Sequence, residues 1–295
     1  NAGMVKAFED ILQLRSGELV IPEEHRIFCA YGAAMIAREK SQTDNFNLSA
    51  CEKNEKNVLE NSMTTRERLE YSFPQQKHYK TTLTLKRGSE PKVTEGYLGV
   101  DIGSLSTNLV VIDKNRNVLA RRYLMTAGRP IEAVRKGLAE IGEELNDTVK
   151  IIGCGTTGSG RYLIGDFIGA DIVRNEITAQ ATAAIMLDKK VDTIFEIGGQ
   201  DSKYISIDNG IVVDFEMNKA CAAGTGSFLQ EQAEKLGIQI NEEFGDRALK
   251  AACPVGCGER CTVFMESDLN SYQQAGAEKD DLVAGLAYSI AKNYL

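Results

Sequence analysis

Three glycine-rich turns and a group of cysteines carry the chemistry open to this sequence. In YLGVDIGSLSTNLVVID an apolar run ends at Asp101, a glycine turn follows, and hydroxyls at Ser104, Ser106 and Thr107 lead into a second apolar run. Gly103 lets backbone amides approach an anion, the hydroxyls can donate to phosphate oxygens, and Asp101 suits a hydrated magnesium ion. FEIGGQDSKYISI repeats the design, with Gly198 and Gly199 closing a run, the polar groups Gln200 and Asp201 after them, and then a second run. A third turn, GCGTTGSGR, offers Gly155 and Thr156 and enters a helix whose first amides favour an anion. One such turn alone is as readily a hairpin with a solvated Asp; three at strand ends point to a phosphate-bearing ligand. Neither a Walker A loop nor the Rossmann fingerprint is present.

The cysteines suggest metal. Cys221 stands before the glycine turn of NKACAAGTGSF, whose Gly224 and Gly226 open a helix. A thiol just ahead of a helix start is favoured as thiolate by the helix dipole, and thiolate is the form that binds metal. CPVGCGERCTVFMESD then sets Cys253, Cys257 and Cys261 at equal four-residue steps. Any one cysteine among Ala and Gly is equally well a small buried residue. Together they favour a metal site, with zinc as a competitor that usually prefers cysteines paired on close turns. A radical SAM triplet would need a shorter second gap.

Positioning these groups requires a large α/β body. The 295 residues are enough for a sizeable core, and the composition, 43% hydrophobic and 26% charged, is that of a globular chain. A net charge of −8 argues against a broad nucleic-acid surface, and no apolar run is long enough for a membrane span. Seven cysteines without a secretory signal indicate a reducing compartment, so a cytoplasmic location is expected. The pattern divides into a helix-like block over 1–40 that contains an extended LVIP, a polar linker over 41–96 with a short alternation at Leu83 and Leu85, and an alternating strand–helix unit over 97–295. Periodicity predicts strands over 97–102, 108–113, 118–124, 149–153, 193–197, 204–207 and 211–215. Helices are expected over 131–145, 160–168, 176–187, 223–236, 245–251, 261–273 and 279–295. Hairpins turning at 114–117 and 208–210 make the sheet mixed.

Strand, glycine turn and strand, used twice around a nucleotide, resembles the actin-like, sugar-kinase and heat-shock ATPase superfamily. Asp101, Ile102, Gly103 and Ser104 match its first phosphate loop, and Glu196, Ile197, Gly198 and Gly199 its second, with Glu196 where the superfamily usually has Asp. With NKACAAGTGSF and ERCTVFMESD added, residues 97–295 resemble more narrowly the ATP-dependent activators of 2-hydroxyacyl-CoA dehydratases and benzoyl-CoA reductases. The resemblance implies an actin-like (ribonuclease H-like) fold with ATP and Mg2+ between two lobes, and a homodimer bridged by one [4Fe-4S] cluster on Cys221 and Cys261 of each chain. It also implies a ferredoxin or flavodoxin-type electron donor and a dehydratase or reductase partner, but no nucleic acid and no membrane. By the same resemblance 1–40 is expected to be the tail of a preceding unit, and 97–295 a second unit that stops before the family's glycine motif near adenosine. Two alternatives stay open from the residues: a sugar or small-molecule kinase, and a non-catalytic regulatory module.

Overall fold

Alternating apolar residues after position 93 build a meander that carries the first glycine turn. A computed structural model describes residues 1–40, 93–146, 148–218, 223–258 and 261–294. In it β1 (Thr94–Ile102), β2 (Ser106–Asp113) and β3 (Val118–Met125) pair antiparallel. The β2–β3 turn is held locally, Asp113 Oδ1 accepting from the amides of Asn115 at 2.7 Å and Asn117 at 2.9 Å. Helix α3 (Pro130–Leu145) opens on a proline and ends at a left-handed Asn146. The chain then returns as β4 (Val149–Thr157), parallel to β1, followed by α4 (Arg161–Ile168) and the short β5 (Ile172–Val173). The strand order is therefore β3-β2-β1-β4-β5.

After α5 (Glu176–Leu187) a second sheet forms from β6 (Thr193–Ile197), β7 (Ser202–Asp208) and β8 (Ile211–Met217), in that order and wholly antiparallel. Only the first sheet is mixed. The remaining chain is helical: α6 (Gly226–Lys235), α7 (Phe244–Lys250), α8 (Thr262–Gln274) and α9 (Lys279–Lys292). These helices share one apolar core with Phe195 and Ile197 of β6, and α1 (Ala2–Leu12) closes that core with Met4, Ala7 and Phe8. Phe8, Phe195 and Tyr294 stack within it, with centroids 5.0–5.7 Å apart. No helix among the described residues is long and apolar enough to cross a membrane.

Helix α2 (Phe28–Lys40) binds the two halves together. Nine of its 13 residues are buried and many are Ala or Gly, so it can lie in backbone contact with neighbours on opposite sides. A Cβ on Gly99 of β1 would meet the Ala30 carbonyl at 1.9 Å, and one on Gly155 of β4 would meet that of Ala33 at 2.5 Å. Both strands therefore need glycine where α2 crosses them.

Several sequence expectations shift. The LVIP segment joins no strand, and α2 follows a single 3-10 turn, His25–Ile27. β1 begins at Thr94, inside the stretch expected to be linker. Residues 41–92, with Leu83 and Leu85, lie outside the described residues, as does Cys221. β4 runs to Thr157 rather than 153, because its last four residues still find ladder partners in β1 and β5.

Candidate functional site

The fold brings two of the three glycine turns to Asp101 at once. Gly103 closes the first turn, its amide donating to Ser106 O at 2.9 Å and its carbonyl accepting from Thr126 Oγ1 at 2.8 Å. Ser104 is exposed and Ser106 half-buried at the rim, whereas the Thr107 hydroxyl is fully buried against Thr126 Oγ1 at 2.9 Å. The turn after β4 lies alongside. Gly160 N donates to Ile102 O at 3.0 Å and Ser159 Oγ to the same carbonyl at 3.2 Å. Gly158 is left-handed (φ +85), and a Cβ there would stand 2.5 Å from Asp101 Oδ1, so only glycine fits.

This relocates the third turn. Gly155 and Thr156 sit in the strand, not in the turn: Gly155 packs beneath α2, and the Thr156 hydroxyl is spent on the Arg161 carbonyl at 3.0 Å. Gly158, Ser159 and Gly160 take the position instead. The signal was present in their run of small residues, but the two threonines before them extend the strand.

The second turn meets the first across the cleft. A Cβ on Gly199 would come within 2.4 Å of Leu105 Cδ1. Gly198 and Gly199 also seal the start of α6: their carbonyls accept from the amides of Gly226 at 2.8 Å and Ser227 at 3.0 Å, and Ser227 Oγ bonds Gly199 O as well. The Gly226 amide, a candidate phosphate donor, is thus spent on the turn itself. Gly224 is left-handed (φ +92), beside Ser202 Oγ, and Thr225 caps the helix by accepting from Phe228 N. Gln200 is exposed, and Asp201 turns inward onto Lys203.

The charged groups here are unusual for their burial. Asp101 accepts from Asn108 Nδ2 at 3.3 Å. Burial pushes its carboxyl up to about 7; the Asn108 bond and Lys203 oppose this, while Glu196 and Glu176 add to it. Glu196 is likewise raised, by burial first, against the pull of Lys203. Lys203 is 3% exposed and lies between Glu196 Oε1 at 3.2 Å and Asp201 Oδ1 at 3.0 Å. Arg161, at the mouth, bonds Gly158 O at 2.8 Å and reaches Glu176 at 3.4 Å. Among the described residues three buried oxygens have no hydrogen-bond partner: Asn108 Oδ1, Thr157 Oγ1 and Glu196 Oε2. Unpaired buried oxygens carry a desolvation cost that a ligand or cation can relieve, and hard oxygen donors beside a carboxylate suit Mg2+. Asn108, Thr157 and Lys203 escape a motif reading because each sits within a strand and gains its role from the neighbouring turn.

The cysteines separate. Cys261 is a partly exposed free thiol at the N-cap of α8, beside Val263 and Phe264, which are 70% and 69% exposed. Cys253 is exposed, whereas Cys257 is buried; burial, then the charge of Asp268, push its thiol up to about 11 and keep it protonated. Among the described residues no three His, Cys, Asp or Glu converge on a metal site.

Comparison with known proteins agrees with this geometry. The sequence profile of the BadF/BadG/BcrA/BcrD ATPase family matches residues 98–295. The (R)-2-hydroxyglutaryl-CoA dehydratase activating ATPase of Acidaminococcus fermentans is 30% identical over 201 residues, covering 67% of this chain and 75% of the relative. The 2-hydroxyisocaproyl-CoA dehydratase activator of Clostridioides difficile is 32% identical over 200 residues, 66% of this chain and 72% of that protein. Among solved structures, the activator of the 2-hydroxyisocaproyl-CoA dehydratase from Clostridium difficile with bound ADPNP superposes with a TM-score of 0.58 at 30% identity, over 67% of this chain and 72% of that one.

Proposed function

The chain belongs to the BadF/BadG/BcrA/BcrD ATPase family, and from that premise we propose that it is an ATP-dependent activator that passes one low-potential electron to a 2-hydroxyacyl-CoA dehydratase-like or reductase partner. It is an ATPase with an actin-like α/β fold. The observation that carries the reading is the meeting of the two glycine turns, Leu105 against Gly199, over Asp101 and the unpaired oxygens of Asn108, Thr157 and Glu196.

In this reading the turns at Gly103, Ser104, Gly198 and Gly199 receive the triphosphate. Asp101, with the free oxygens of Asn108 and Thr157 nearby, would hold hydrated Mg2+, which would supply charge neutralisation for the phosphates. The Asp101 carboxyl, raised to about 7 by burial, would be favoured in its ionised form by a cation beside it, which would offset the burial penalty. Glu196, with one oxygen fixed by Lys203 and one free, stands ready to orient water, alongside Asp201. Hydrolysis of a triphosphate received by the turns would change their spacing. The second turn is bonded to α6 through Gly226 and Ser227, so its displacement moves that helix start. A [4Fe-4S] cluster held by Cys221 and Cys261 of two chains would supply one-electron chemistry whose potential depends on solvent exposure and nearby hydrogen bonds. The exposed Val263 and Phe264 suit contact with a second copy there.

The test is iron and acid-labile sulfide on anaerobically reconstituted chain, beside a C221S/C261S variant. About two irons and two sulfides per chain, lost in the variant, are expected for one four-iron cluster per pair of chains. Stoichiometric zinc, or no metal, would refute the electron-transfer reading.

A further inference from the structure

The strand that follows the second glycine turn carries a lysine that phosphate chemistry alone does not explain. Lys203 is the register partner of Glu196 across β6 and β7, so the two side chains lie next to each other on one face of the second sheet. Asp201, two residues earlier at the end of the turn, bends back to the same ammonium. The side chain is 3% exposed, and its described contacts are those two carboxylates. Burying an ammonium is costly, and it is tolerated here because two carboxylates face it.

We propose that Lys203 is a positioning residue for ATP hydrolysis, its ammonium clamping Glu196 Oε1 and Asp201 Oδ1 across the Gly198–Gly199 turn so that Glu196 Oε2 stays free and directed at the site. The inference rests on the ATPase reading above. The clamp does two things. It ties the strand before the turn to the residue after it, which fixes the turn's two carbonyls against α6. It also supplies the positive charge that opposes the burial of the Glu196 carboxylate among further acids.

Among the described residues the surroundings leave little else to take over that task. Facing the pair are Asp101 from β1, Glu176 from α5 and the buried Cys29 thiol from α2, which donates to Gln180 Oε1 at 2.8 Å. The Tyr294 hydroxyl beyond α9 donates to the Glu196 carbonyl at 2.7 Å, and burial keeps that phenol protonated. Arg161 is committed to Gly158 O and Glu176. Without Lys203, Glu196 would take up a proton more readily, and the ionised form needed for water orientation would appear only at higher pH.

The experiment compares the full chain with K203M, K203R and K203M/E196Q. In MgATP hydrolysis, K203M is expected to lower kcat by about tenfold or more while KM changes by less than about threefold, because the ammonium acts on the reacting geometry rather than on nucleotide affinity. The acidic limb of its kcat profile moves to higher pH, and K203R returns the limb toward its original position. A fall in kcat with an unmoved limb assigns Lys203 a merely structural role and overturns the proposal. Thermal melts of ligand-free protein supply a readout that does not need turnover. The deficit of K203M against the original chain should widen as pH rises from 5 to 8, because the raised Glu196 carboxyl, left without the ammonium, costs more the further it is forced to ionise. Adding E196Q should narrow it. A deficit flat with pH overturns the proposal even if the parent chain hydrolyses no ATP, an outcome that would by itself refute the ATPase reading of the site. Should K203M fail to fold, K203M/E196Q, which buries one unpaired carboxylate fewer, carries the same comparison against E196Q.

Discussion

Replacing Asp101 by Asn separates the cost of this site from its purpose. The carboxyl is held at about 7 in the ligand-free fold against an ordinary value of 3.8, chiefly by burial. A carboxyl raised in the folded state destabilises as pH climbs from its unfolded value, and the loss is complete once pH passes the folded one. Here that window runs from about 4 to 7. Three units correspond to about 4 kcal/mol at most, and because Asp101 retains some solvent contact we take about 1–3 kcal/mol as the working range. Asn removes the charge, keeps the shape, and can donate to Asn108 Oδ1, which now has no partner. D101N should therefore be more stable than the parent at pH 8 in EDTA by about 2 kcal/mol, or roughly 4–8 °C in Tm for a chain of this size. At pH 5 the gain should shrink to less than half. Melts of both proteins at pH 5, 6, 7 and 8 test this, with MgADP added in a second series that should raise the parent's Tm more than the variant's. A variant no more stable at pH 8, or a difference that does not change with pH, would show that burial at Asp101 is not the strain that the cation relieves. ATP hydrolysis should meanwhile be lost in D101N, the usual exchange between stability and activity.

Two substitutions test how the site is held. G155A places a methyl against the Ala33 carbonyl, 2.5 Å from where the Cβ would stand, and should cost about 2 kcal/mol or more in denaturant unfolding because a backbone, not a side-chain tip, must give way; an unchanged midpoint would mean that α2 is not seated as described. T225A removes the cap of α6 and should cost about 1 kcal/mol, with faster amide exchange at Phe228 and Leu229 than in the parent.

Much of the architecture was legible because it rests on local pattern. The 193–197 strand and the 176–187 helix match their predicted limits, and the 131–145, 245–251 and 261–273 helices fall within one residue at each end, since period-2 and period-3.6 alternation, Pro130 and Asn146 act on nearest neighbours. The hairpin turns after Asp113 and Asp208 were equally clear. The end of β4 was not: threonines that look like turn residues continue the ladder when β1 and β5 offer partners on both sides.

The sequence by itself determined the phosphate-loop motifs, the family they resemble and the order of strands and helices, because these depend on residue types at short spacing. Only the tertiary structure decided which glycines serve the site. Gly155 lies under α2 while Gly158 faces Asp101, and the difference arises from a helix more than a hundred positions earlier in the chain. It also decided the electrostatics. That Asp101 sits near 7, that Thr157 is unpaired and that Lys203 binds two carboxylates all follow from burial and from contacts between separate turns. Desolvation and hydrogen-bond partnership belong to the assembled fold, and no spacing in one strand encodes them.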